Sequence, residues 1–206
     1  MKSCLQSCWI FGGAPFSGKV LLPDDAYIIA ADSGYNTVKR LGFTPNLTLG
    51  DFDSLGKKPD CVEIMTVAAE KDDTDTMLAV KTALEKGYRD ISIVGAIGGR
   101  LDHTFANIQS LAYILQHGSF GRLIGDSDMV ELLNEGEYSY ESKDGMYLSL
   151  FAYGETAVLT SRGTKYDLTE YTLDNTFPLG VSNEIIADKC SISVHKGLLL
   201  VIFSKK

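Results

Sequence analysis

Apolar positions in the first part of the chain follow two periods. Unbroken runs at Cys8–Phe11, Tyr27–Ala31, Leu47–Leu49 and Ile91–Val94 read as short buried strands, and Val62–Val67 reads as another despite Glu63. Helical patterns lie between them. Residues 34–41 look helical and stop at Gly42. Thr74–Lys86 places Met77, Val80, Lys81 and Leu84 on one face, with Gly87 at the expected stop. A glycine-rich turn, Gly95–Gly99, leads into a helix at about 102–117 whose predicted apolar stripe is Phe105, Ile108, Leu111, Ala112 and Leu115. Strands alternating with helices of this length predict an α/β domain with a mainly parallel sheet. After Glu131 the helical period disappears. Tyr138–Tyr140, Met146–Ala152, Ala157–Leu159, Cys190–Val194 and Leu198–Phe203 are short, apolar or β-branched, and punctuated by glycine, which predicts an all-β sandwich. The change of texture falls between 125 and 137, giving domains at 1–130 and 131–206. The junction carries no Pro/Gly/Ser linker, and the chain shows no internal repeat.

Composition narrows the choice of partner. The 206 residues include 27 acidic and 19 basic side chains, a formal charge of -8. A surface of that sign repels phosphate backbones and anionic membranes, so neither nucleic acid nor a membrane is an expected partner. Any phosphate substrate must then be held by local cations, metal ions or backbone amides. The cysteines, Cys4, Cys8, Cys61 and Cys190, have neither C-x-x-C spacing nor a zinc-like pattern with histidine. They read as thiols in a reducing cytosol. Met1–Ser17 lacks the apolar core of a signal peptide, and no apolar run is long enough to span a bilayer, so the expected location is the cytoplasm.

Candidate chemistry gathers at strand ends. Gly13–Lys19 matches G-x-x-x-x-G-K after a strand. Val20 stands where a phosphate loop needs a hydroxyl, and Pro23 interrupts any helix, so the segment reads as a tight turn. Ala31-Asp32-Ser33-Gly34 ends one strand. Gly50-Asp51-Phe52-Asp53-Ser54 ends another, and its acids at i and i+2 suit a hard cation or a solvated Asx turn equally. Lys71-Asp72-Asp73-Thr74-Asp75 opens a helix, where aspartates are ordinary caps, yet Asp72 and Asp75 can also turn toward one ligand. Gly98-Gly99-Arg100-Leu101-Asp102-His103 joins a strand end to a helix start. Its Arg100 can hold phosphate or stack on a base, and Asp102 can cap the helix or orient Arg100. His103, His117 and His195 read as structural. Open α/β sheets bind ligands at the carboxyl ends of their strands, so these loops are expected to share one crevice suited to nucleotide–magnesium chemistry.

In that order, these four motifs resemble the series found in thiamine pyrophosphokinases. The second half fits as well, through Gly163-Thr164-Lys165-Tyr166-Asp167-Leu168, Gly180-Val181-Ser182-Asn183-Glu184 and Gly197-Leu198-Leu199-Leu200. The resemblance covers nearly the whole chain. It implies an α/β catalytic domain, a C-terminal β-sandwich and a homodimer whose partner subunits share active sites. It implies transfer of diphosphate from ATP to the thiamine hydroxyl, releasing AMP, with Mg2+ as cofactor. By matching motif, Asp51, Asp53 and Asp75 are the implied magnesium ligands, with Asp72 beside them in the catalytic set. Asp32, Ser33, Lys71, Thr74, Arg100 and Asp102 fall on the ATP side, and Ser182 and Asn183 on the thiamine side. Lys71 departs from the pattern, since some relatives carry an amide there. Two other readings stand beside this one. Asp51-x-Asp53 also resembles the nucleophile motif of aspartate-dependent phosphohydrolases, although Gly50 breaks the expected apolar strand. A non-catalytic nucleotide or thiamine binder would keep the β-domain and use the acids only as caps.

Overall fold

The computed structural model describes residues 7–50, 61–66 and 72–206; Asp51, Asp53 and Lys71 lie outside the described residues. The chain divides into two compact units, 1–126 and 127–206.

In the first unit the described strands are β1 (Ser7–Phe11), β2 (Tyr27–Ala31), β3 (Leu47–Gly50), β4 (Glu63–Thr66), β5 (Asp90–Val94) and β6 (Phe120–Ile124). They pair in the order β6-β5-β1-β2-β3-β4, and every pairing is parallel. The inner strands β1, β2, β3 and β5 are buried at nearly every position, as a sheet covered on both faces requires. β4 ends this order and is more open, and β6 alternates buried and half-buried positions. The chain steps outward from β1 to β4 and then returns to the other side of β1 for β5. Strand order therefore reverses beside β1, which makes a crevice at the carboxyl ends of β1, β2 and β5.

The helices are α1 (Gly34–Arg40), α2 (Asp75–Glu85) and α3 (Leu101–Gln116). Thr74 caps α2, its Oγ1 accepting a hydrogen bond from Met77 N at 3.1 Å. The buried face of α3 is Asn107, Ser110, Leu111 and Ile114, whereas Phe105, first in the predicted stripe, is 60 % exposed. The physical reason is polar. Asn107 Nδ2 donates to Ala96 O at 2.8 Å, which fixes that face of α3 against the turn after β5. Hydrophobic period alone does not register such a bond.

Helix α1 docks against the end of β1 at very close range. A Cβ placed on Gly34 would lie 1.9 Å from Phe11 O, closer than any real contact. Only glycine lets the helix begin there.

The second unit is antiparallel: β7 (Asp128–Leu133), β8 (Gly136–Glu141), β9 (Met146–Arg162), β10 (Leu168–Asp174) and β11 (Lys189–Lys205). The sequence pattern predicts separate short strands at Met146–Ala152 and Ala157–Leu159, and at Cys190–Val194 and Leu198–Phe203. Each pair instead belongs to one strand of 17 residues. Gly154 and Gly197 bend these strands rather than ending them, with φ of 95° and 82°. The register jumps there, from Gly197 opposite Ala157 to Leu198 opposite Tyr153. One half of β11 pairs with β7 and the other with β8, while β10 extends the sheet along the second half of β9. Leu148, Leu150, Leu159, Ile192, Val194, Val201 and Phe203 fill the core.

Gly34→Ala should cost more than about 3 kcal/mol or prevent folding, because backbone rather than a flexible side chain must move. Gly42→Ala, at φ 83° in open space, should cost only about 1 kcal/mol. Denaturant unfolding of the two variants checks the contrast; a Gly34→Ala protein as stable as Gly42→Ala would refute the close packing.

Candidate active site

The crevice beside β1 is a cleft of ≈ 340 Å³. Its wall draws on the ends of three strands and the starts of two helices. Gly13–Pro15 follow β1, Asp32 and Ser33 follow β2, Gly95 to Gly99 follow β5, Thr74–Thr76 open α2, and Arg100 opens α3. The structure thus brings together Asp32, Ser33, Thr74, Asp75 and Arg100 among the residues expected from sequence. Asp72 precedes the helix cap and is exposed outside the cleft lining. Asp73 is engaged elsewhere, accepting a 2.6 Å bond from Lys81 Nζ.

Asp32 has φ 49°, in the left-handed region that aspartate tolerates better than most residues. Its N–H donates to Leu49 O at 2.8 Å, so the turn after β2 is tied to the end of β3. Gly50, where β3 ends and the Asp51-Phe52-Asp53 motif begins, packs directly on this turn. A Cβ there would lie 3.3 Å from Asp32 Cα.

Arg100 is held as a fork by Asp102, Nε to Oδ1 at 3.1 Å and Nη2 to Oδ2 at 2.6 Å. Asp102 also accepts His103 N at 2.9 Å. Of the two roles weighed for Asp102, the structure supplies the orienting one; α3 begins with no side-chain cap. The hydrogen bonds from Arg100 hold the Asp102 carboxyl below the usual carboxylate range, and Asp102 pushes Arg100 up. A guanidinium carries five N–H donors, so three remain for a ligand oxygen.

Thr76, His103 and Asn107 also line the cleft and were not expected. His103 lies in the quoted Gly98–His103 motif and was read as structural. Asn107 had a signal as well, an amide inside an apolar helical stripe.

The Gly13–Lys19 segment is no phosphate loop. No helix follows it, as Val20 and Pro23 predict. The amides of Ser17 and Gly18 donate to Asp126 Oδ1 at 2.7 and 2.8 Å, so a carboxylate of the chain itself takes the place an anion would occupy.

In the second unit, the Gly163–Leu168 segment is a built turn. Asp167 Oδ1 accepts from Thr164 N and Thr164 Oγ1, both at 2.9 Å. Asn183, 6 % exposed, clamps it from the neighbouring segment. Its Oδ1 accepts Tyr166 N at 3.0 Å and Glu184 N at 2.9 Å, and its Nδ2 donates to Tyr166 O at 2.9 Å. Tyr166 is left 62 % exposed. Ser182 is exposed with φ 59°, its N–H donating to Ser149 Oγ at 3.0 Å. Glu184 accepts from Lys206 at 2.5 Å and Lys165 at 3.2 Å, which holds its carboxyl below the ordinary range.

Two expected outcomes follow from this geometry. The Asp102 carboxyl carbon, tracked by NMR, should titrate below the ordinary aspartate value of about 3.9, and Arg100→Gln should raise its midpoint toward that value, the bond from His103 N remaining. A midpoint unmoved by the substitution would mean that the fork does not form in solution. Asn183→Ala strands Tyr166 N–H and Glu184 N–H, while Tyr166 C=O keeps Thr164 Oγ1 at 3.1 Å, and should cost about 2–3 kcal/mol in denaturant unfolding. A loss within about 0.5 kcal/mol would mean that water replaces the clamp.

Comparison with known proteins identifies the family. Residues 19–119 match the family model described as thiamin pyrophosphokinase, catalytic domain. Residues 137–199 match thiamin pyrophosphokinase, vitamin B1 binding domain. Thiamine pyrophosphokinase of Bacillus subtilis (strain 168) is 34% identical over 184 residues, covering 85% of this chain and 86% of that protein. Thiamin pyrophosphokinase 1 of Caenorhabditis elegans is 23% identical, covering 97% and 90%. The crystal structure of the Bacillus subtilis enzyme superposes with a TM-score of 0.89 at 30% identity, covering 98% of this chain and all of that one (100%). That of thiamin pyrophosphokinase from Candida albicans, at 18% identity, a TM-score of 0.75 and coverage of 97% and 89%, shares the fold. With both halves matched in order and a relative of this similarity along most of its length, the chain belongs to the thiamine pyrophosphokinase family.

Proposed function

We propose that the chain transfers the diphosphate of ATP to the hydroxyl of thiamine, giving thiamine diphosphate and AMP. The observation that carries this reading is the cleft at the strand switch, where Asp32 and Asp75 share one wall system with the oriented Arg100. ATP occupies this cleft with its phosphates toward Arg100, whose three remaining N–H donors suit phosphate oxygens. Ser33 and Thr74 supply hydroxyls on the same wall, and Lys71 and Asp72 flank it in sequence.

The donor set suits magnesium, which takes hard oxygen ligands and keeps waters and substrate phosphates in its shell. Among the described residues no group of three His, Cys, Asp or Glu side chains gathers by itself. Asp75 would hold the ion together with Asp51 and Asp53, with Asp72 beside them. When bound, the ion neutralises charge developing on the transferred phosphates. The protein's own part is positioning: holding the triphosphate so that the thiamine hydroxyl meets the β-phosphorus in line, with AMP leaving on the far side. No covalent enzyme intermediate is required.

On the thiamine side, Ser182 offers an exposed hydroxyl. Asn183 acts by setting Tyr166, whose ring is 62 % exposed, with Lys165 Nζ 5.7 Å from its centre, and can stack on a flat ligand. The protein works as a homodimer in the cytoplasm. No helix among the described residues is long and apolar enough to cross a membrane.

Release of AMP from ATP only when thiamine is present tests the activity. Dialysed enzyme should lose it in excess EDTA and recover it with Mg2+; full activity with chelator would remove the metal from the mechanism. Asp53→Asn should lower turnover on the order of 100- to 1000-fold while leaving the melting temperature intact. Turnover near wild type would return Asp53 to a turn-forming role. Sedimentation should give twice the mass of the chain, and a fully active monomer would exclude the dimer.

A further inference from the structure

We propose that Asp126 is a positioning residue for nucleotide binding, fixing the loop that forms one wall of the cleft. The inference rests on ATP occupying that cleft, and it concerns a residue that none of the motifs contains.

The segment between β1 and β2 has no helix, so its amides have no repeating partners. Gly12 N donates to Val94 O at 2.8 Å and Ala14 N to Gly95 O at 3.0 Å, which ties the start of the loop to the end of β5. Gly13, Ala14 and Pro15 then form cleft wall. Phe16 turns inward, 8 % exposed, into a cluster with Phe11, Ile28, Ala30, Val38 and Val94. Beyond it, Asp126 closes the loop. Oδ1 accepts Ser17 N at 2.7 Å and Gly18 N at 2.8 Å, and Oδ2 accepts Ser17 Oγ at 2.7 Å. From α1, Arg40 Nη2 donates to Phe16 O at 2.7 Å. These bonds hold the Asp126 carboxyl below the ordinary carboxylate range, Ser17 and Gly18 first and Arg40 adding to them.

Asp126 follows β6, far from the loop in sequence, so it joins the wall to the end of a strand that pairs with β5. The wall matters because of what it touches. A Cβ on Gly99 would lie 3.3 Å from Pro15 Cδ, so the loop abuts the glycine that precedes Arg100. On the other side a Cβ on Gly13 would lie 2.6 Å from Ser33 Oγ. The loop therefore spaces the β2 turn from the start of α3. A loop released at Ser17 and Gly18 loses that spacing, although Phe16 stays in the core.

The experiment is ATP–magnesium titration without thiamine, together with kcat and KM for both substrates. Asp126→Ala removes all three bonds and should weaken ATP binding and raise its KM roughly 10- to 100-fold. The thiamine KM should stay within about two-fold, since this wall serves the nucleotide. Asp126→Asn should behave like wild type, because Oδ1 still accepts both amides and Nδ2 can donate to Ser17 Oγ. Ser17→Ala, which loses one bond, should fall between them. If Asp126→Ala does not fold, Ser17→Ala carries the test: a raised ATP KM with unchanged thiamine KM supports the proposal, and unchanged ATP binding overturns it. A lowered melting temperature with ATP affinity intact overturns it, as does an equal rise in both KM values. Arg100→Gln separates the two levels. If it weakens ATP while Asp126→Ala does not, the loop role fails and the cleft stands; if neither does, the placement of ATP falls with it.

Discussion

The end of β1 and the start of α1 meet with no room for a side chain, and the site depends on that contact. With Gly34 in place, the helix begins immediately under Phe11 O, and the turn before it must carry Asp32 into the left-handed region. Asp32 and Ser33 are thereby set on the rim of the crevice opened by the strand reversal. A Cβ on Gly13 would lie 2.6 Å from Ser33 Oγ, so the loop after β1 is pressed against the same turn. A bulkier residue at Gly34 would separate β1 from α1, because only backbone atoms face it.

Charge is managed locally within an acidic chain. Arg100 is presented by Asp102, Lys81 is taken up by Asp73, and the amides of Ser17 and Gly18 are answered by Asp126. The last of these explains why a G-x-x-x-x-G-K match has no phosphate role. The amides of Ser17 and Gly18 are satisfied from within, and a phosphate there would have to displace a carboxylate held by three hydrogen bonds. Cationic reach into the cleft falls instead to Arg100, whose orientation is set by a neighbour two residues away.

In the second unit the same economy governs a motif. Asn183 spends its amide on the backbone of Tyr166 and Glu184. A buried amide with its partners satisfied holds the turn in one arrangement. The ring it positions and Ser182 are left exposed.

The sequence by itself determined the local elements and the loops that bear chemistry. Tyr27–Ala31 is a strand at those limits, Thr74 and Lys86 bound α2, and Asp32, Asp75 and Arg100 stand at strand ends or helix starts, because hydrophobic period, capping and glycine act within a few residues. Only the tertiary structure decided the rest. Gly154 and Gly197 look like strand ends and are bends, since a long strand survives a glycine when its partner bulges in step. Phe105 turns outward because Asn107 bonds the turn after β5. Asp126 reaches Ser17 across more than 100 residues of chain, and no pattern of neighbouring residues encodes such a bond. Periodicity is a property of adjacent positions, whereas satisfying a buried amide or carboxylate depends on whatever the fold brings beside it.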